Sequence, residues 1–226
     1  MSLEIKIGSI DALEEIRRQM GEFQRKAPNV LQNAVNQTAT YARKRISKAA
    51  LERYALRPDK RKLVAQKELR VTRADKRKGR YTAELHANSG MTSLSYFDIA
   101  PRPRGGPVYA RVLVKNAMKL MYGTKPNPFS ATFDSGHNAV VKRVIGTEYR
   151  ENKPDAKKSN KRDIRTANGL DITALYEYMG PSAASMFKGA HDFTPNLQKD
   201  ISDKLAAMID EQTKKMIEKS MKGAKK

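Results

Sequence analysis

The sequence predicts an α+β fold: long N-terminal and C-terminal helices packed on a central, mainly antiparallel β-sheet, with extended loops. Three observations lead there. Apolar residues recur at spacings of three and four near both ends of the 226-residue chain, as helices burying one face require. Between them, short segments alternate apolar and polar residues, the period of a half-buried strand. The sharpest stretch, Phe129–Val144 (FSATFDSGHNAVVKRV), sets two such runs around a turn.

Leu3, Ile5 and Ile7 alternate with Glu4 and Lys6 as an opening strand. Gly8 breaks it, and Ser9 caps a helix carrying Ile10, Leu13, Ile16, Met20 and Phe23. Asp11, Glu14 and Glu15 early in that helix, and Arg17, Arg18 and Arg25 later, complement its dipole. Gly21 ends or bends it. Pro28, with φ already suited to a first helical position, opens a second helix to about Leu51. Its stripe is Val30, Leu31, Ala34, Val35, Thr38, Ala39, Ala42, Ile46 and Ala49, small enough for a neighbour to pack close. Residues 1–52 are thus a helical region within one domain spanning 1–226.

Positive charge then concentrates. From Tyr41 to Arg80, sixteen lysines and arginines face four carboxylates, a net +12 of the +21 total. Arg43, Lys44, Arg45 and Lys48 crowd the end of the second helix. Arg57, Lys60, Arg61, Lys62, Lys67, Arg70, Arg73, Lys76, Arg77, Lys78 and Arg80 follow. Pro58-Asp59 starts a short helix to about Gln66. Leu69 and Val71, then Tyr81, Ala83 and Leu85, make two strands joined by a turn at Asp75–Gly79 that projects its cations into water. Like charges this dense repel one another, so the segment 41–80 is expected to meet an anionic partner.

Further on, Asn88–Gly90 is a loop, Leu94–Phe97 a short strand or turn, and Pro101–Pro107 irregular. Val108–Lys115 reads as the clearest strand, with Val108, Ala110, Val112 and Val114 on one face and Tyr109, Arg111 and Leu113 on the other. Ala117–Tyr122 adds a turn of helix. In the central hairpin, Phe129, Ala131 and Phe133 form a buried face, and Asp134–His137 turns, with Gly136 free to take positive φ. Val140, Val141 and Val144 return, displaying Lys142 and Arg143. Residues 146–169 are polar throughout and read as an exposed, mobile loop. Leu170–Ile172 and Ala174-Leu175 rejoin the core, and Gly180-Pro181-Ser182 is a turn before Met186 and Phe187. Thr194 caps a last helix opened by Pro195, with a stripe of Leu197, Ile201, Leu205, Met208, Ile209, Gln212 and Met216 and a basic, fraying tail.

Composition excludes several function classes. Without cysteine there are no disulfides and no thiolate metal sites. The N-terminus lacks the basic and apolar blocks of a signal peptide, and no run approaches a membrane span, so a soluble protein made in the cytoplasm is expected. His86, His137 and His191 stand far apart, with no carboxylate at ligand spacing. No nucleophile elbow, phosphate loop or dinucleotide fingerprint occurs. The chain therefore reads as a non-enzyme with no cofactor, unless folding gathers scattered carboxylates. Its charge calls for nucleic acid, an acidic protein or a membrane surface.

Phe129-Ser-Ala-Thr-Phe133, then Ser135-Gly136-His137, then Val140-Val141-Lys142-Arg143, resembles the hairpin of phage and prophage minor tail protein Z, a tail-completion family. The basic run Lys60–Leu63 leading into strands, and Ile172, Gly180-Pro181-Ser182 and Met186-Phe187, fit the same order between about Val30 and Leu205. The polar stretch 146–169 is a departure, because the family links hairpin and Gly-Pro-Ser compactly through Pro-Ile, where this chain has Leu170-Asp171-Ile172.

The resemblance implies a structural virion protein assembled in the host bacterial cytoplasm, without catalytic residues. It would complete the tail at its neck end as a homo-oligomeric ring, often six-fold. Implied partners are the tail tube or terminator, connector and tape measure, with DNA passing the lumen and no membrane. The alternative is a basic, architectural nucleic-acid-binding protein unrelated to virions, which shares the charge but gives the hairpin no role.

Overall fold

The computed structural model describes residues 3–8, 11–63, 68–100, 108–121, 128–133, 136, 138–148, 173–193 and 196–224. In chain order the elements are β1 (Leu3–Ile7), α1 (Asp11–Met20), α2 (Ala27–Arg53), α3 (Pro58–Leu63), β2 (Leu69–Thr72), β3 (Ala83–Ala87), β4 (Thr92–Ser93), β5 (Asp98–Ala100), β6 (Tyr109–Arg111), β7 (Lys119–Leu120), β8 (Phe129–Thr132), β9 (Asn138–Glu148), β10 (Thr173–Glu177), β11 (Met179–Gly180), α4 (Ala183–Phe193) and α5 (Leu197–Ala224). The fold is α+β, with long helices toward both ends and antiparallel strand pairing throughout the described sheets. The chain packs into two compact units, each discontinuous in sequence.

The first unit comprises Met1–Glu52, Arg61–Gly90 and Ser182–Lys226. Its sheet runs β1-β3-β2, with Ile5 opposite Leu85 and Leu85 opposite Val71. Ala83, Leu85 and Ala87 point inward while Glu84 and His86 take the other face, as period 2 demands. Over α2, Val30, Leu31, Ala34, Val35, Thr38, Ala39, Ala42 and Ile46 are fully buried. Burial of each large member contributes about 1.5–3 kcal/mol. The helix starts one residue before Pro28 and continues to Arg53, and Ala50 rather than Ala49 closes its buried face.

Helix α1 buries Leu13, Ile16 and Met20 and packs against α5. It gives way to a 3₁₀ turn at Gly21–Lys26. Helix α4 packs on β1 and β3. Helices α2 and α5 are antiparallel, because Lys26 bonds Ser220 (2.8 Å), Tyr41 lies under Lys204 and Arg45 meets Asp200. Leu197, Ile201 and Met208 are buried along α5. The basic tail, expected to fray, stays helical to Ala224 because buried Ser220 is held by Lys26 and by Met216 O (2.7 Å).

The second unit comprises Arg53–Lys60 and Met91–Pro181. It holds three small sheets, β10-β9-β8, β11-β4 and β5-β6-β7. Phe97, fully buried, and Leu56 and Tyr54 fill its interior. The short stretch after α2 is laid in as an extended partner: Ala55 N donates to Val112 O (2.9 Å) and Asp98 N to Ala55 O (2.8 Å).

That insertion corrects the expected strand Val108–Lys115. Only Tyr109–Arg111 pairs as strand. Beyond it the backbone serves residues 53–55, with Val114 N donating to Arg53 O (3.0 Å), then turns as Asn116 N bonds Leu113 O. Val114, expected to share a face with Val108, is 46% exposed whereas Val108 is buried. The expected helical turn at Ala117–Tyr122 is instead β7, whose Lys119 and Leu120 pair with the edge of β6.

The hairpin predicted around Asp134–His137 is present, with Phe129 opposite Val141 and Ala131 opposite Ala139. Gly136 takes φ +76° and donates to Phe133 O (2.8 Å), closing the reversal with a conformation L side chains avoid. Burial falls on the other strand, however. Ala139, Val140 and Val141 on central β9 are buried, while Phe129 and Ala131 are half-buried and Phe133 is exposed. At the start of the expected loop 146–169, residues 146–148 continue β9; residues 149–169 lie outside the described residues, as do Leu170–Ile172 and the cap Thr194-Pro195.

Candidate functional site

The basic segment 41–80 does not act as one block. Residues 41–52 and 61–80 belong to the first unit and 53–60 to the second. In the second, Arg57 and Lys60 are committed to neighbours. Arg57 grips Asp59 through Nε (3.1 Å) and Nη2 (3.2 Å), and Lys60 lies 3.7 Å from the same carboxylate and 5.2 Å over the Tyr96 ring. Two cations share one anion there, so the trio keeps a single net positive charge.

In the first unit the cations sort by element. On α2, Arg45 donates to Asp200 at 2.7 Å, and this hydrogen bond holds its guanidinium above the ordinary arginine range. Lys48 lies 3.8 Å from Glu52, Lys44 is exposed and Arg43 is half-buried. Arg61 and Lys62 are exposed on α3.

The hairpin tip is where cations are held together. Asp75 N donates to Arg80 O (2.8 Å), Arg80 N to Asp75 O (3.0 Å) and Arg77 N to the Asp75 carboxylate (3.0 Å). Lys76, Arg77 and Lys78 therefore ride a closed 3₁₀ turn, all exposed. Arg80 curls back onto Arg73 O through Nε (3.1 Å) and Nη2 (2.7 Å), and Arg73 itself is exposed.

Amide side chains of α2 anchor this tip. Asn36 Nδ2 donates to Ala74 O (3.1 Å) and Ala74 N donates back to Asn36 Oδ1 (2.9 Å). Lys76 N donates to Gln32 Oε1 (2.9 Å), and the Lys76 ammonium bonds Asn29. Between helix and hairpin runs a shallow groove of about 420 Å³ lined by Gln32, Asn33, Asn36, Gln37, Thr40 and Arg73. Asn33, Gln37, Thr40, Lys44 and Lys48 make one exposed stripe at spacings of three and four. The amides and Thr40 are what a search for charge alone misses; their signal in the sequence is a polar face opposite the apolar one.

The residues of the hairpin motif play packing parts. Lys142 and Arg143, adjacent on a strand, leave by opposite faces. Lys142 lies over Tyr176 (5.5 Å) and Tyr178 (5.9 Å), which meet edge to face, and Arg143 lies over Phe129 (5.6 Å). Ser135 and His137 lie outside the described residues. Gly180 abuts Phe97, and Thr92 Oγ1 donates to Pro181 O (2.7 Å). Ser182 caps α4 by accepting from Ser185 N (3.1 Å).

Known proteins offer no guide. No family model, curated sequence or solved structure matches the chain. Among the described residues no three His, Asp or Glu side chains stand close enough to hold a metal. One histidine does meet a carboxylate, His86 Nε2 at 3.2 Å from Glu84 on the same face of β3. Sequence spacing of two on a strand carried that signal. Among the described residues, no helix is long and apolar enough to cross a membrane. What this surface presents is exposed cations beside neutral hydrogen-bonding side chains.

Proposed function

We propose that the chain is a structural, non-catalytic virion protein of a tailed phage or prophage: a tail-completion or minor tail subunit that assembles as a ring at the end of the tail tube, near the neck. One observation carries the reading. The stretch that resembles the tail-completion hairpin forms an antiparallel pair, Phe129–Thr132 against Asn138–Val141, with Gly136 at positive φ between the strands. Its neighbours would be the tube or terminator, the connector and the tape measure, with DNA passing the lumen.

Assembly is the mechanism. β8 and β10 are the outer strands of their sheet among the described residues, and each offers an edge to a second copy. Tyr176 (54% exposed) and Phe133 (37%) supply apolar area on the same sheet. Closed symmetry repeats each subunit's positive field around the ring, so rim and lumen attract anions.

Mass measurement on the purified chain, together with its detection in purified tails, tests this. A closed oligomer present in tails is the expected result; a strict monomer absent from them overturns it. A basic architectural nucleic-acid-binding protein outside any virion is the second reading, favoured by the +21 charge. Tight DNA binding by an isolated monomer selects it.

A further inference from the structure

We infer that the groove between α2 and the 73–80 hairpin tip is a docking surface for the phosphodiester backbone of duplex DNA, read without sequence preference. The inference deepens the neck-subunit reading, since DNA would be the anion its ring meets.

Three features select this partner. The first is pre-organisation. Lys76, Arg77 and Lys78 sit on a turn closed by Asp75 and bolted to Gln32 and Asn29, so presenting them costs little further ordering. The second is the donor set. Gln37, Asn33 and Thr40 lie between the tip and Lys44, and neutral amides and hydroxyls beside Lys and Arg are the groups that contact phosphate oxygens. The third is what the stripe lacks. From Asn33 to Lys48 its exposed positions carry no apolar side chain, whereas the core of a protein–protein interface is enriched in aromatic residues and methionine. An acidic protein would have nothing apolar to bury here.

Geometry agrees. Asn33 to Lys48 spans about 22 Å of helix at 1.5 Å per residue. Duplex DNA advances about 3.4 Å per step, so the stripe matches roughly six base pairs of backbone. On the opposite flank, Arg45 neutralises Asp200 and Lys204 lies over Tyr41, so the nearest α5 groups add no net negative charge.

The test uses the full chain, a short random-sequence duplex and a salt titration, with polyglutamate as competitor. Arg77→Gln/Lys78→Gln should lower the slope of log K against log salt by about 1.8, at 0.9 for each phosphate no longer neutralised. Lys115→Gln/Lys119→Gln, an equal charge change at exposed positions of the second unit, should leave the slope unchanged. Asn33→Ala/Gln37→Ala should weaken binding severalfold at constant slope, because neutral donors release no counterions. All variants alter exposed side chains, and matching melting temperatures verify that each is folded.

A tip pair that behaves like the control pair overturns the inference, as does polyglutamate competing as well as duplex, which would assign the groove to an acidic protein. The two readings fail separately. Rings that bind DNA with no dependence on the tip sink the groove and spare the neck subunit; a strict monomer with a tip-dependent slope does the reverse.

Discussion

Gly180 lies against the Phe97 ring so closely that a Cβ at this position would clash with ring carbon Cε2 and stand 3.1 Å from Cδ2. Phe97 is fully buried, so its ring can give way only by displacing other core side chains. Gly180→Ala is therefore expected to destabilise the second unit by about 1–3 kcal/mol through overpacking, read as a lower denaturation midpoint. A variant as stable as the parent would mean that Phe97 has room to move.

Asn36 is the clamp between helix and hairpin. Asn36→Leu removes both bonds to Ala74, whose backbone is buried, and is expected to cost about 1–3 kcal/mol. Hydrogen exchange supplies the specific readout: amides of Asp75–Arg80 should exchange faster, while those of β3 keep their protection.

The alanines of α2 set how near its neighbours come. Ala39 is fully buried, so Ala39→Leu should cost about 1–3 kcal/mol, whereas a leucine at exposed Thr40 should be tolerated. Thermal melts of the two variants give the comparison.

Along α5 the hydrogen bond from Lys215 holds the Glu211 carboxyl below the ordinary carboxylate range, with the charges of Lys215 and Lys204 acting in the same direction. A depressed folded-state value means that the contribution is present above the unfolded-state value and fades as pH falls through the folded one. Carbon-detected NMR titration should place the Glu211 midpoint low, and Lys215→Met should raise it toward the ordinary range.

Elements that keep one period along their whole length are legible from periodicity, whether the partner is close, as for β2 and β3, or far along the chain, as for β1 and β3. β1 follows from the alternation of Leu3, Ile5 and Ile7, and α2 from its stripe between Val30 and Ile46. The β2–β3 hairpin follows from Asp75 and Gly79 flanking three cations. The far half of Val108–Lys115 departs from its alternation because beyond Arg111 the backbone serves Arg53 and Ala55 instead of β5 and β7, and alternation cannot reveal which backbone takes the hydrogen bonds. The cationic half of the groove could be read from Arg73–Lys78. The amide half shows in the sequence only as a polar helix face, and what Gln32 and Asn36 bind becomes visible only once the hairpin folds onto them.

The antiparallel seam of α2 and α5 sets the order of events at the ribosome. Helix α1 emerges early with Leu13, Ile16 and Met20 to bury, yet α5, on which α1 packs and which Tyr41 and Arg45 of α2 meet, starts to leave the exit tunnel more than 140 residues after α2. Until then the nascent chain carries an apolar surface for chaperones to hold. A stop codon in α5 would strand it in that state, so premature termination should yield aggregates rather than shortened, assembly-competent subunits.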